Sequence, residues 1–555
     1  MCNSKTLLYF FIYIAFSCSS TNNLKSKLTV STIDTVDLWH FKDSINGLSL
    51  EKWYNENTKK TKKEIIVAIL DTQIDLEHEN FKNQIWVNKD EIPNNKIDDD
   101  NNGYIDDING WNFVGKPNGG YFAYGNFEYV RIIQKWDSIF KNKKESEITK
   151  SQLKDFNQYS VAKTYLDYYL DYYKNYKKNL QFKIEMFPLS KDTLKHYFPN
   201  EDYTTNQLDS LFKKYNKSDK DFYDRRKDKD KDFSSLILYM LSNYQLNNKK
   251  LEIIEDLKNQ MDSIINQNLN VEFLDRNFIN DNPSKLEKGY GNNFLNSFKK
   301  IQDHNTEVSS LIAPNNKIKK GVKGFHKNIK IMPLITSVSG DEHDKDIAMA
   351  IYYAVDNGAK VINMSFGKEF SLEEEWVSEA IKYAEKHNVL IVHCSGNNRK
   401  SIDEYLFYPN DVKYGEVNEF SSNFITVGSI SKRIDSTMVS PFSNYGKNNV
   451  DLFAPGEEIY VAIPDNQYTY DSGTSLAAPM VSGTAALIWL YYPNLTVQEV
   501  KKIILESGVT IDKMVIKPGT ENELVHFSEL CKSGKILNTY NAMKIAEEMS
   551  RKKTH

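Results

Sequence analysis

The chain has 555 residues, 40% hydrophobic and 26% charged, and its 71 basic against 75 acidic side chains leave a net charge of -4. That length exceeds what one hydrophobic core ordinarily holds, so a second unit or a large insertion is expected. The near-neutral balance gives no basis for predicting nucleic-acid binding.

In chain order, the first element is an N-terminal segment with Lys5 followed by an unbroken apolar run from Leu7 to Phe16. The run is too short to span a bilayer and suits the core of a signal peptide over residues 1–17. Ala15-Phe-Ser-Cys18 resembles a loose bacterial lipobox, which would make Cys18 the lipidated first residue of the mature chain, with 18–33 as a linker. The alternative is an ordinary signal peptide cut at a nearby small residue. Trp39 to Trp53 reads as the start of the mature domain, with little room for a separate prodomain.

Glu64-Ile-Ile-Val-Ala-Ile-Leu-Asp71 carries a mostly β-branched run that suits a strand buried on both faces of a parallel sheet. Asp71 falls at its C-terminal end, where open α/β sheets place ligands, although an Asp also commonly begins a turn. Further on, Asp98, Asp100, Asn102 and Asp106 occupy loop positions 1, 3, 5 and 9, with Gly103 at 6 and Tyr104 at 7. This is the spacing of an EF-hand-type calcium loop, with Asn109 standing where a bidentate Glu is usual. An Asx-rich turn without metal has the same composition.

From about residue 120 to 285 the chain is rich in Lys, Tyr and Asp. Leu166-Asp-Tyr-Tyr-Leu-Asp-Tyr-Tyr-Lys174 and Leu251 to Ile265 have helical apolar spacing. A helical insertion is expected, one that restricts or selects what reaches the site. The mixed-sign run from Lys217 to Asp232 reads as a solvated surface.

His304-Asn-Thr-Glu-Val-Ser-Ser310 is followed by a loop and then the apolar strand Ile329-Lys-Ile-Met-Pro-Leu334; of ten histidines, only His304 has this downstream context. Two more buried strands end in Lys360-Val-Ile-Asn-Met-Ser365-Phe366-Gly367 and Val389-Leu-Ile-Val-His-Cys-Ser-Gly-Asn397. Cys394 is expected to pack there as a small apolar residue. Near the C-terminus, Asp471-Ser-Gly-Thr-Ser-Leu-Ala-Ala-Pro-Met480 sets Ser475 among small residues before a helix-forming run. Ser475 would stand at a helix N-terminus, where the dipole favours developing negative charge. Read alone, the string is more simply an N-cap serine on a buried helix.

The Ser475 string resembles Gly-Thr-Ser-x-Ala-x-Pro, the nucleophile motif of the subtilisin-like serine peptidases, matched at Gly473, Thr474, Ser475, Ala477 and Pro479. Asp71, His304 and Ser475 follow the Asp, His, Ser order of that family. Phe442-Ser-Asn-Tyr-Gly446 and Val450 to Gly456 also look like its late loops, so the resemblance covers about residues 34–119 and 286–550. It implies an α/β three-layer fold around a mostly parallel sheet, interrupted by the 120–285 insertion. The roles it implies are Ser475 as nucleophile, His304 as base, Asp71 as orienting carboxylate, and Asn397 with the Ser475 backbone N–H as oxyanion hole. Ser365, Phe366 and Gly367 would form the edge that pairs with substrate backbone. Proteins or peptides are the implied substrates, catalysis needs no cofactor, and any calcium is structural. With Cys18 lipidated, the protein would be exported and membrane-attached at the cell envelope. The Asp71-to-His304 interval is 233 residues, where the family commonly needs only a few tens. Other departures are Gln73 and Asn305 in place of glycines, Glu307 in place of a second His, Ser310 for Gly, and Lys368 where a second glycine is usual. They leave open a competing reading, a catalytically impaired surface lipoprotein that uses the fold for binding, and a third, an esterase on the same site.

Overall fold

The structure, a computed structural model, describes residues 36–554 except 122, 246–249, 314–320, 414–415 and 417. The expected signal peptide, the linker and Cys18 lie outside the described residues. Two compact units share the chain: one runs up to Ala123 and resumes at Arg276, and the other is Tyr124–Asp275.

The first unit is built on a sheet whose strands, in chain order, are β1 (Ile65–Asp71), β2 (Trp111–Asn112), β3 (Ile329–Ile335), β4 (Val361–Met364), β5 (Leu390–Cys394), β6 (Phe424–Ile430) and β7 (Leu452–Pro455). The hairpin β8 (Ile459–Ile463) and β9 (Gln467–Asp471) follows, then β10 (Val509–Thr510), the hairpin β11 (Met514–Ile516) and β12 (Leu524–His526), and β13 (Lys535–Ile536). Nine of them form one sheet in the order β10-β13-β7-β6-β5-β4-β1-β3-β2, parallel throughout except for the β10–β13 pair at one edge. Consecutive βαβ crossovers require this parallel pairing, and the continuous Val/Ile/Leu runs of β1, β3, β5 and β6 are what strands covered on both faces need.

One face is covered by helix Thr474–Tyr491, buried along its length to Leu490. By length and composition this helix could cross a membrane, but 94% of it is buried, as befits the core helix of the sheet. Leu38, Trp39, Phe41, Leu48, Leu50 and Trp53 join the same core, packing with Val481, Ile488 and Trp489. Helices Asp344–Asp356 and Glu374–Lys386 cover the other face through a second cluster around Leu70, Met332, Ile362 and Ile391.

The second unit is helical: Glu128–Phe140, the 43-residue Leu153–Lys195, Thr205–Tyr215, Phe222–Asp228, Phe233–Gln245 and Leu251–Ser263. Its end at Asp275 precedes the expected boundary because Arg276 and Asp281 are drawn into the first unit by buried ion pairs with Asp346 and Lys345. The mixed-charge run is not uniformly solvated. Arg225 is buried, and its guanidinium donates to Ser234 Oγ, Ser235 Oγ and Asn216 Oδ1. A buried guanidinium needs such hydrogen-bond partners.

Candidate active site

Asp71 ends β1, Ser365 follows the end of β4, and Asn397 lies just beyond β5. These three strands are neighbours, with Leu70 opposite Met364 and Met364 opposite His393. Their C-terminal ends therefore open on one side of the sheet, where two helices arrive N-terminus first: Asp303–Ile312, carrying His304 in its first turn, and Thr474–Tyr491, carrying Ser475.

Asp71 is 1% exposed, and its carboxylate contacts His304 Nδ1 through both oxygens, at 2.8 and 2.9 Å. Thr72 N–H, at 2.6 Å, and Thr72 Oγ1, at 3.2 Å, donate to Oδ1 and fix the carboxylate plane. With Nδ1 held at the carboxylate, the ring turns Nε2 away from Asp71. Ser475 Oγ donates to the Ser365 carbonyl at 3.0 Å, and Ser365 Oγ donates back to the Ser475 carbonyl at 2.8 Å. Beneath them Asn363 is clamped between Ser365 Oγ and Ser482 Oγ, so the serine backbone sits on a buried polar layer.

Asn397 is oriented by Thr474, whose backbone N–H and hydroxyl both donate to Oδ1 at 2.9 Å. That occupies the carbonyl side of the amide and assigns Nδ2 to the other side, beside Gly473. The same Thr474 hydroxyl accepts from Gly396 N–H at 3.1 Å. Gly396 has φ +95°, and a Cβ there would lie 2.5 Å from Asn444 Nδ2, so the turn needs glycine on both counts. Asn444 escaped the sequence reading, although its side chain shapes this turn: Nδ2 donates to Ser395 O, and Oδ1 accepts from Asn398 N–H and Lys400 N–H. Its place in a Ser-Asn-Tyr-Gly loop string was the available signal.

The residues that replace glycines around His304 make specific bonds. Buried Gln73 donates to Ser297 Oγ at 3.1 Å and accepts from Phe298 N–H at 2.7 Å, tying the strand end to the segment that enters the His304 helix. Asn305 Nδ2 donates to Thr72 O at 2.7 Å, and its Oδ1 accepts from Ser309. Thr306 Oγ1 accepts from Asp75 N–H, and Ser310 Oγ accepts from Ala462 N–H.

Along the expected substrate edge, the Phe366 carbonyl turns inward to His393 Nε2 at 2.6 Å, and burial pushes the His393 imidazole down to about 4. Lys368 pairs through its backbone with Tyr408 and sends its ammonium into the interior, to Asp344 Oδ1 at 2.8 Å and the Glu342 carbonyl at 2.6 Å. Burial pushes the Glu342 carboxyl up to about 8. Cys394 is fully buried and packs as expected.

In the Asp-rich loop, Asp98 caps Asn102 N–H and Gly103 N–H, and Asp106 caps Asn95 N–H and Lys96 N–H. The Tyr104 ring packs in the core against Trp111 and Tyr353. Asn102 donates to Asp100 and Asp107. Of the expected set only Asp100 joins a three-carboxylate cluster, with Glu91 and Asp107, whose oxygens lie within 4.8 Å of one another.

The family described as the Subtilase family matches residues 62–526 of this chain. Over 245 residues the chain is 34% identical to the cell wall-associated protease of Bacillus subtilis (strain 168), covering 43% of this chain and 25% of that protein. It is 37% identical over 194 residues to the major intracellular serine protease of the same organism, covering 34% and 55%. The chain thus spans between a quarter and about half the length of these curated relatives. Among solved structures it is similar to the prenylagaramide maturation protease PagA, with 28% identity, 44% of this chain and 82% of that chain covered, and a TM-score of 0.35.

Proposed function

The chain belongs to the subtilase family, and from that premise we propose that it is a serine endopeptidase working through Asp71, His304 and Ser475. Ser475 Oγ attacks the scissile carbonyl while His304 Nε2 takes its proton, and Asp71 stabilises the imidazolium that forms. Asn397 Nδ2 and the Ser475 backbone N–H hold the oxyanion of the tetrahedral intermediate. The intermediate collapses as His304 returns the proton to the leaving amine, and water then releases the acyl group by the same route. The observation that carries this reading is the bond from His304 Nδ1 to both oxygens of buried Asp71, since it aligns a base with a carboxylate that Thr72 holds in place.

Substrate backbone would pair along Ser365–Gly367, where successive peptide groups of an extended segment point to opposite sides. The inward turn of the Phe366 carbonyl supports this, because it directs the neighbouring groups to the cleft. The test is active-site labelling: a fluorophosphonate should modify the native protein once, on the peptide that carries Ser475, and not the heat-unfolded protein. A native protein left unmodified while a control serine peptidase reacts would end the peptidase reading.

We also propose a structural calcium ion, held by Glu91, Asp100 and Asp107 rather than by the alternating loop positions. Three carboxylates are the hard oxygen donors calcium takes, and two of these are buried; Asn88, Asn102, Tyr353 and backbone N–H groups already donate to them, and the ion would add the positive charge that neutral donors do not supply. Burial already pushes the Asp107 carboxyl up to about 6. Calcium at about a hundred times its dissociation constant should add about 2.7 kcal/mol, read as a rise in melting temperature that chelator reverses and Asp107→Asn removes. A melting temperature insensitive to calcium and chelator would rule the ion out.

A further inference from the structure

The geometry points to Phe407 as the residue that decides which side chain the site accepts next to the scissile bond; this rests on the peptidase reading above. A peptide whose carbonyl carbon lies at Ser475 Oγ and whose oxygen lies at Asn397 must project the adjacent N-terminal-side residue between two walls. One wall starts at Ser365, whose carbonyl is 3.0 Å from Ser475 Oγ, and runs to Gly367. The other runs from Ser395 through Gly396 to Asn397, which is tied to Thr474 beside the nucleophile. The walls continue the paired strands β4 and β5, so they lie side by side.

Each wall carries a glycine at the level of the slot, and the edge of the Phe407 ring lies between them. A Cβ on Gly396 would sit 2.8 Å from Phe407 Cζ, and a Cβ on Gly367 would overlap both Cζ and Cε1. Two bare backbones facing each other would leave a slot deep enough for an aromatic side chain; this chain fills it with its own. The residue is 7% exposed, so the ring is packed on nearly all sides, with Cζ and Cε1 toward the two glycines. It cannot swing aside cheaply. The next residue is pinned by reciprocal bonds, Tyr408 N–H to Lys368 O at 2.8 Å and Lys368 N–H to Tyr408 O at 3.0 Å. The His393 ring packs against it, tilted, at 5.6 Å between centroids, and Ile402 and Ile430 belong to the same packed cluster.

Gly, Ala or Ser therefore fits at the residue N-terminal to the cleaved bond, while Leu, Phe and Lys meet the ring. The side chain of Lys368, the departure visible in the sequence, has no part in this selection, because its ammonium is buried on Asp344; only its backbone helps to hold Tyr408.

The experiment uses fluorogenic peptides identical except for Ala, Leu, Phe or Lys at that residue, with the wild type, Phe407→Ala and Phe407→Leu. The wild type should prefer Ala over Phe in kcat/KM by at least about tenfold, and Phe407→Ala should raise Phe relative to Ala by roughly ten- to a hundredfold. Phe407→Leu, the safer change for folding, should fall between them, with melting curves confirming that each variant is folded. A wild type that prefers Phe or Leu overturns the inference, as does an unchanged Ala-to-Phe ratio in folded Phe407 variants. Fluorophosphonate labelling separates the two levels. Labelling without the expected selectivity overturns Phe407 alone, and absence of labelling overturns the peptidase reading and this inference with it.

Discussion

Asp71→Asn should lower kcat by about 10⁴ and Ser475→Ala by about 10⁶, magnitudes carried over from other serine peptidases, with both proteins remaining folded. The Asp71 effect follows from which atom each neighbour holds. Thr72 N–H and its hydroxyl both donate to Oδ1, so the amide oxygen of an Asn at 71 is held on that side. The NH₂ group then takes the place of Oδ2, 2.9 Å from His304 Nδ1. Two donors cannot face each other there, so the imidazole must carry its proton on Nε2 and offer Nδ1 as acceptor. In that tautomer Nε2 cannot take the Ser475 proton, although nothing has moved. Steady-state kinetics on a peptide, with melting curves as the folding control, decide the matter: wild-type kcat in Asp71→Asn would show that His304 is not the base. Loss in Ser475→Ala alone would leave a serine working with another partner.

The parts of this site that could be read from the sequence are those fixed by adjacent residues. Ser475 is announced by the small residues around it, and Asp71 by six apolar residues before it, because a strand end and a helix start are local events. The order of strands was not local: β1 sits between β3 and β4, which lie far downstream. Gln73 shows the limit. In the sequence it is a missing glycine; in the fold its amide reaches Ser297 and Phe298, 224 and 225 residues away, and steadies the entry to the His304 helix. Asn305 likewise uses its side chain to hold Thr72. These bonds give Gln73 and Asn305 definite places in the fold beside His304.

The Asp-rich loop was legible in a different way. Its alternation was visible, but Asx side chains satisfy backbone donors in turns as readily as they bind cations, and Asp98 and Asp106 do the former. Glu91 and Asp107 had no place in the spacing and come together only through the chain's return. Phe407 gave no signal at all, since its relation to Gly367 and Gly396 exists only once three separate loops are packed.

Arg276→Met should destabilise the first unit by about 3–5 kcal/mol, a fall in melting temperature on the order of 5–10 °C. Arg276 is the first residue after the helical unit and is 4% exposed. Its Nη2 lies 2.6 Å from Asp346 Oδ1, and its Nε lies 3.4 Å from Asp281 Oδ2. Lys345 pairs with Asp281 and donates to Asn282 O, and Tyr290 O–H donates to Asp346 at 2.8 Å. Two cations and two anions thus balance inside a low-dielectric core, and Asp346 gains further from the first turn of its helix, Asp344–Asp356. Removing one cation leaves a buried carboxylate with only a tyrosine hydroxyl, which is the costly case; attraction and desolvation otherwise nearly cancel. Arg276→Met with Asp346→Leu should therefore recover most of the loss, because the stranded charge goes with its partner. Melting curves followed by tryptophan fluorescence check both variants. A single variant as stable as the wild type, or a double variant worse than the single, would show that this part of the first unit is held by packing rather than by this charge network.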